Sequence, residues 1–371
     1  MTSPKQIAAI QSCITNSIDP SLIADKLVAG IIGDTPSLYS KSPALWNAAF
    51  DHLGINAIYL PFDVAEPRLG ELIATLKGLD NFLGINVTVP HKIKIMDFLD
   101  EIEAGAKRVQ AVNTIARTSS GKLVGYNTDG AGFIESLLTP LPEATESFVT
   151  SLAKSNVLLL GAGGSARAVA FQLADKLYER QLVIANRSLD HAMSLASEIQ
   201  KKGRKVEAID ETQIGDWAPR VGLIVNSTTK GQGGIRKLPS GKLTTLEPYS
   251  ALAPAHPASI SQSDFDHPQT RQKWLRATQA DIDANNQASM TLAQAIPHDV
   301  RFYDLIYHPE ETIFLRHGRL SGHLTKNGKA MIIFQAAIAL CRYICKQHLI
   351  ECGKNDATTY GAVCQVMATK W

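Results

Sequence analysis

Residues 156–168 read NVLLLGAGGSARA, and this stretch decides the fold. Apolar residues run without a break into Gly161, and Gly163 and Gly164 follow before a helix-compatible run that extends through Leu173. Such a strand, glycine turn and helix let the backbone approach a pyrophosphate closely. The free N–H groups and the helix dipole then favour the anion. A bare glycine-rich string is weak evidence, but here a strand precedes it and a second strand, QLVIANR (residues 181–187), ends at the expected distance. Gly161, Gly163, Gly164, Ser165 and Ala166 are therefore the candidate cofactor loop. The runs VGLIVNSTTKG (221–231) and RFYDLIY (301–307) read as further strands of the same sheet.

The tip of the second strand bears on which dinucleotide is held. A carboxylate there commonly accepts from the ribose 2′-hydroxyl of NAD. This chain has Asn186, Arg187 and Ser188 instead. A guanidinium suits a 2′-phosphate, and its two neighbours add hydrogen-bonding groups, so NADP is expected. Asp190 lies beyond the tip, in the first turn of the next helix, where a carboxylate is stabilising in any case. Thr228, in the loop after the strand around Leu223–Asn226, joins the cofactor candidates.

N-terminal to this unit, strands and helices alternate. Residues near 5 to 28 look helical, Leu27–Ile32 reads as a strand ending at Gly33, and a helix follows with apolar positions at Leu45, Ala48, Ala49 and Leu53. Then come a strand (AIYLPFDV), a helix over Glu66–Leu76 and another strand (FLGINVTVP). The alternation predicts a largely parallel sheet. Four polar clusters fall at strand ends or beside them. Tyr39-Ser40-Lys41-Ser42-Pro43 is expected as an extended loop whose two hydroxyls match a carboxylate. Asn86 to Lys92 closes a strand, Ala111 to Thr114 is expected inside another, and Gly125 to Gly130 ends the half. Singly these have bland readings: turn chemistry for the serines, a solvated Lys92, a helix cap at Asp129. Together they matter more, because neighbouring parallel strands bring their carboxyl ends to one rim.

From Gly328 the chain reads as helix, with Met331, Phe334, Ala337, Ile338 and Cys341 on one stripe. Residues 232–300 break the pattern. Six prolines (Pro239, Pro248, Pro254, Pro257, Pro268, Pro297) and many Ser, Gln and Asp mark this segment. It is too long for a plain connection and is expected to be an insertion, helical around Lys273–Asp281 and otherwise loop.

The 371 residues allow two domains with sizeable cores. Charged residues make up 19% and the net charge is +2, spread without a basic block, which argues against nucleic acid. The five cysteines form no CxxC pair, and acids and histidines do not cluster at ligand spacing, so no metal is expected. Cys341 and Cys345 read as a buried helix face. There is neither a secretory pattern at the N-terminus nor an apolar run long enough to span a bilayer, so a cytoplasmic protein is expected, without a membrane partner.

The ordered series resembles the shikimate dehydrogenase family: SxSP, NVTxPxK, AVNT, GxNTD, the GAGG loop, NR(S/T), a DLI(I/V)N strand and a terminal YxPxxT…G…GxxM…Q block. Here these are Ser40/Ser42-Pro43, Asn86 to Lys92, Ala111 to Thr114, Gly125 to Asp129, Gly161 to Gly164, Asn186-Arg187 and Leu223 to Asn226. Tyr307-His308-Pro309, Thr312, Gly318, Gly322, Gly328, Met331 and Gln335 complete the series. The match runs from about Gly30 to Leu340. The family often has His where this chain has Tyr39 and Trp46, and a shorter turn where it has Thr228-Thr229-Lys230-Gly231.

The resemblance implies an α/β protein of two domains with a cleft between them. Residues 1–130 with 327–371 would be a substrate domain to which the C-terminal helices return. Residues 131–326 would be a Rossmann-type NADP domain. It implies Lys92 and Asp129 as the catalytic pair and Ser40 and Ser42 on the substrate carboxylate. Thr88, Asn113 and Gln335 would bind ring hydroxyls, with Tyr307 and Gly328 by the nicotinamide. The implied activity is reversible reduction of 3-dehydroshikimate to shikimate by NADPH, in aromatic amino acid biosynthesis through chorismate, by a monomer or homodimer. A quinate or dual-substrate enzyme using NAD or NADP remains an alternative, as does a non-catalytic sensor of the same metabolite, although such a sensor need not retain the Lys92/Asp129 pair.

Overall fold

The computed structural model describes residues 3–23, 25–142, 144–238 and 240–371, so that Ala24 of the N-terminal arm and Pro239 of the insertion lie outside it. The chain forms two compact units: 1–147 with 330–371, and 148–329. The C-terminal helices thus belong to the first unit, and the fold is a two-domain α/β fold.

The first unit holds a six-stranded sheet. Its strands are β1 (Leu27–Gly33), β2 (Ala57–Asp63), β3 (Phe82–Val87), β4 (Glu101–Ile102), β5 (Thr114–Arg117) and β6 (Leu123–Tyr126), in the order β2-β1-β3-β5-β6-β4. The period of two along β1 divides the core. Ala29 and Ile31 pack on one face with Trp46, Phe50, Phe334 and Leu340. Val28 and Ile32 pack on the other with Ile10, Leu72 and Leu76. β1 pairs in parallel with β2 and β3, but β5 runs antiparallel to both β3 and β6. The largely parallel expectation is corrected there, because only Thr118–Lys122 joins β5 to β6. A parallel pair needs a crossover of a dozen residues or more.

Three further expectations change in this unit. The N-terminal helix is Pro4–Cys13, followed by a single turn at Pro20–Leu22 rather than helix to residue 28. Asn16 stops it by bonding the β2 backbone at Pro61 and Asp63. Residues 39–43 are not an extended loop; a helical turn, Pro36–Tyr39, leads almost directly into the helix Ser42–Leu53. Ala111, Val112 and Asn113 precede β5 rather than lying inside a strand, and Thr114 is its first residue.

The second unit's main sheet contains β7 (Val157–Leu160), β8 (Leu182–Asn186), β9 (Val206–Asp210), β10 (Leu223–Asn226), β13 (Arg301–Asp304) and β14 (Thr325–Lys326). The order is β14-β13-β10-β7-β8-β9, parallel throughout. Both faces are covered, and the strands accordingly read as unbroken apolar runs. The insertion is far more ordered than expected: a short hairpin of β11 (Ile235–Lys237) and β12 (Leu243–Thr245), then a helix from Pro268 to Ala295. Pro268 suits the first turn. The helix was hard to foresee because its buried stripe, Trp274, Thr278, Asn285, Ser289 and Ala293, is mostly polar. Among the described residues no helix is long and apolar enough to cross a membrane.

Candidate active site

In the first unit, β3 ends at Val87 and the chain turns at once. Thr88 N–H donates to Ile32 O at 2.9 Å, and an added Cβ on Gly33 would sit 2.6 Å from Thr88 Cγ2, so Gly33 makes this approach feasible. The ring of buried His91 donates from Nε2 to Val64 O at 2.8 Å. Val112 N–H donates to Lys92 O at 2.8 Å. Lys92 therefore projects from a turn fixed on both sides.

Its ammonium lies 2.6 Å from Asp129 Oδ2, with the two side chains 23% and 5% exposed. Asp129 is the first residue of the helix Asp129–Leu138, whose preceding residue, Thr128, supplies no side-chain cap. The Asp129 carboxylate does not cap the helix; it faces Lys92 and Asn113. Asn113 Nδ2 donates to Asp129 Oδ1 at 2.8 Å, with Thr128 Oγ1 at 3.0 Å and Gln335 Oε1 at 3.1 Å also in reach. Its Oδ1 accepts from Thr128 N–H and the Thr114 hydroxyl. Both oxygens of one carboxylate are thus held by donors, a geometry that orients it rigidly.

The network continues through Asn86, the first residue of the run that closes β3, and through Tyr59, which sequence reasoning missed. Asn86 Nδ2 donates to Thr114 Oγ1 at 3.0 Å, and its Oδ1 accepts from Tyr59 O–H at 2.7 Å. Burial raises the Tyr59 pKa well above the ordinary value, an effect that the neighbouring Ser42 hydroxyl opposes. Ser42 N–H in turn donates to Ser40 Oγ at 3.2 Å. A hydrogen-bonded path therefore joins Tyr59 to Lys92 through Asn86, Thr114, Asn113 and Asp129, with Ser42 beside the Tyr59 hydroxyl. Tyr59 was hidden because it reads as an ordinary aromatic in a strand. Asn86 had a visible signal in its place at a strand end beside Thr88. Trp46, where the family often has His, is fully buried and stacks on Tyr59.

Gln335 reaches this site from the helix Lys329–Ala339. Gly132 permits it: a Cβ there would fall 2.7 Å from the Gln335 backbone N.

The second unit holds the glycine loop. Gly161 has φ +109° and donates to Ala185 O at 2.7 Å. A side chain there would strike Ser227 Oγ at 2.8 Å and Thr228 at 3.1 Å, so the loop after β10 sits directly against Gly161. Gly163 precedes the helix Gly164–Lys176, in whose first turn Ser165 and Ala166 lie. A Cβ added at Gly163 or Gly164 meets nothing within 4 Å. Open space above a helix N-terminus of glycines fits a dinucleotide pyrophosphate.

At the end of β8, Asn186 Nδ2 donates to Ser188 O at 2.9 Å. Arg187 is exposed and takes part in no ion pair among the described residues. Asp210, in register with Asn186 on β9, is committed elsewhere: its carboxylate caps the following turn through Thr212, which lowers its pKa. The donor set at this tip is cationic and suits a phosphate. Thr228 is held by Asn226 Oδ1, which accepts from its N–H at 2.9 Å and its hydroxyl at 2.7 Å. Asn226 itself donates to buried Asp304. Tyr307 and Gly328 also lie in the second unit; burial raises the Tyr307 pKa, and Gly328 packs where a Cβ would be 2.1 Å from Leu305 O.

Residues 31–115 match the shikimate dehydrogenase substrate-binding domain, and residues 143–237 match the shikimate/quinate 5-dehydrogenase domain. A shikimate dehydrogenase (NADP(+)) of Carboxydothermus hydrogenoformans is 36% identical over 84% of this chain and 89% of its own length. One from Methanococcus maripaludis is 32% identical over 85% and 90%. Among solved structures, a shikimate dehydrogenase in complex with NADP+ superposes with TM-score 0.64 at 29% identity, covering 95% of this chain and 97% of its own. A ligand-free 5-ketofructose reductase of a Gluconobacter strain gives 0.62 at 25%, covering 92% and 99%.

Proposed function

We propose that this chain, which belongs to the shikimate dehydrogenase family, interconverts 3-dehydroshikimate and shikimate with NADP as cofactor and Lys92 and Asp129 as its catalytic pair. The observation that carries this is the 2.6 Å Lys92–Asp129 contact, with the carboxylate's second oxygen held by Asn113 and the same network reaching Tyr59. The unit of residues 1–147 and 330–371 serves the substrate, and that of 148–329 the cofactor.

Ser40 and Ser42 receive the substrate carboxylate. Thr88, Asn113 and Gln335 take the ring hydroxyls and present the reacting carbon. Lys92 hydrogen-bonds the carbonyl oxygen and gives it a proton as the alcohol forms; in the reverse direction it removes that proton. Asp129 holds the ammonium and the same hydroxyl in line. Acid–base assistance of this kind contributes roughly 10²–10⁴-fold. Bound NADPH supplies the hydride, the step the side chains do not perform. Gly161, Gly163, Gly164, Ser165 and Ala166 cradle its pyrophosphate. Asn186, Arg187, Ser188 and Thr228 serve the adenosine end, and Tyr307 and Gly328 serve the nicotinamide end.

Initial rates with shikimate and with quinate, each against NADP+ and NAD+, test this reading. Turnover concentrated in the shikimate/NADP+ pair supports it. Equal or better turnover with quinate or NAD+ overturns the specificity, and no turnover in any pair overturns the activity.

A further inference from the structure

The loop after β10 carries Thr228 against Gly161, and it is tied down from an unexpected direction. Lys230 Nζ pairs with Glu211 Oε2 at 2.7 Å, and the two side chains are only 12% and 11% exposed. The same ammonium donates to Ala253 O at 2.9 Å, within the insertion. Lys230 N–H donates to Thr228 Oγ1 at 3.1 Å, and Lys230 O accepts from Asn226 Nδ2 at 3.2 Å. Gly231, at φ +96°, donates to Leu246 O at 2.7 Å.

Residues 248–254 are in turn held by the long helix. Asn285, 3% exposed, accepts from Ser250 N–H at 2.8 Å. Its Nδ2 faces the carbonyls of Ser250, Ala253 and Pro254 at 2.8–3.1 Å. Asn286 donates to Pro248 O, and Ser289 donates to the Ser250 hydroxyl at 2.7 Å. The insertion is therefore a buried polar brace whose end is the Ala253 carbonyl, and Lys230 connects that end to the cofactor loop.

We propose that Lys230 is a positioning residue for NADP, and that the 232–300 insertion acts through it, by way of Asn285 and Ala253, to hold Thr228 in place beside Gly161. A buried cation bonded to one carboxylate and one carbonyl has a narrow choice of positions, because leaving either partner strands a desolvated group. The backbone bonds of Lys230 pass that constraint to Thr228. This inference rests on the assignment of NADP to the second unit.

The test compares the full-length protein with its Lys230→Met, Lys230→Arg and Asn285→Ala variants. The readouts are direct NADP+ titration by intrinsic fluorescence, KM for each substrate and thermal melting. The Met variant is expected to raise the NADP+ Kd about tenfold, equivalent to ~1.4 kcal/mol, with KM for shikimate unchanged. The Arg variant restores most of the affinity, and Asn285→Ala shows a smaller rise of the same kind. A folded Met variant with wild-type NADP+ affinity overturns the proposal, as does a rise shared equally by both KM values. Where the Met variant does not fold, unchanged NADP+ affinity in Asn285→Ala overturns it alone. Failure of the wild type to bind NADP+ strikes the cofactor assignment itself, and is seen before any substitution is compared.

Discussion

Asn113 and Gln335 are 222 positions apart in the chain, yet Asn113 Nδ2 lies 3.1 Å from Gln335 Oε1. The same nitrogen reaches Asp129 Oδ1 at 2.8 Å, so the C-terminal helix touches the network that holds the proposed catalytic carboxylate. Asn113 keeps its other partners when Gln335 is shortened. Gln335→Ala is therefore expected to raise KM for shikimate by about tenfold, ~1.4 kcal/mol, with a smaller change in kcat. Steady-state kinetics with unchanged NADP+ affinity would bear this out; a fall confined to kcat would not.

Lys92 and Asp129 are in contact at 2.6 Å, and the proposed mechanism uses them as one unit. Lys92→Ala is expected to lower kcat by roughly 10²–10⁴-fold, the usual scale for a lost acid–base group. Asp129→Asn keeps the shape but removes the charge facing the ammonium, and it too should cost most of the turnover. Because the two share one proton-handling task, the double variant should fall little below the worse single one. Losses that multiply would show the residues working independently.

Arg187 is expected to select the 2′-phosphate. Arg187→Ala should weaken NADP+ binding by about tenfold or more while leaving NAD+ nearly untouched, since a charge-assisted contact is lost for one cofactor only. The ratio of kcat/KM for the two cofactors measures this. An unchanged ratio assigns the selection to other groups.

Asp304 gives the second unit a pH signature. It is fully buried, and burial pushes its pKa up to about 7, against donors on Thr312, Ile306 and Asn226 that pull it down. The unfolded chain releases this proton near the ordinary 3.8. Between those values the native state carries the extra proton, so this group makes stability fall as pH rises from about 4 to about 7 and level off above. Asp304→Asn retains an oxygen for the donors and removes the titration. Melting temperatures from pH 4.5 to 7.5 should decline less steeply in the variant than in the wild type; parallel curves would exclude Asp304 as the source.

Gly132→Ala sets two effects against each other. Alanine gains about 1 kcal/mol of helix propensity over glycine. Its Cβ, however, would sit 2.7 Å from the backbone N and Cβ of Gln335. Backbone cannot swing aside, and overpacking of this sort costs about 1–3 kcal/mol. The variant should melt lower despite the better helix former and should also raise KM for shikimate, as the displaced Gln335 leaves Asn113. A higher melting point would mean that the two helices separate without strain.

What the chain revealed before folding was set by where its signals are local. The strand, glycine turn and helix of the second unit depend on a few adjacent residues, and their local structure was legible, as was the closeness of the runs around Lys92 and Asp129. Residues 40–42 were placed in the wrong conformation, because Pro36 and Pro43 each begin a helix and leave little room for a loop. Tyr59 went unnoticed because its importance is a hydrogen bond to Asn86 across neighbouring strands. The helix Pro268–Ala295 was only partly foreseen, because its buried contacts run through Asn285 and Ser289, and hydrophobic periodicity cannot register polar packing.

The first unit is assembled from the two ends of the chain, and this has a bearing on its birth at the ribosome. Ala29, Trp46 and Phe50 are made before the second unit, but their partners Phe334, Leu340 and Met367 are made only after it. At roughly 5–20 residues per second, a delay of about fifteen to sixty seconds separates Phe50 from Phe334, most of it spent on residues 148–329. During that interval one face of β1 stays uncovered, whereas the whole of the second unit has already left the tunnel or is leaving it. A nascent chain stalled once residue 329 has cleared the tunnel is thus expected to display a protease-resistant second unit joined to an exposed, chaperone-dependent first one.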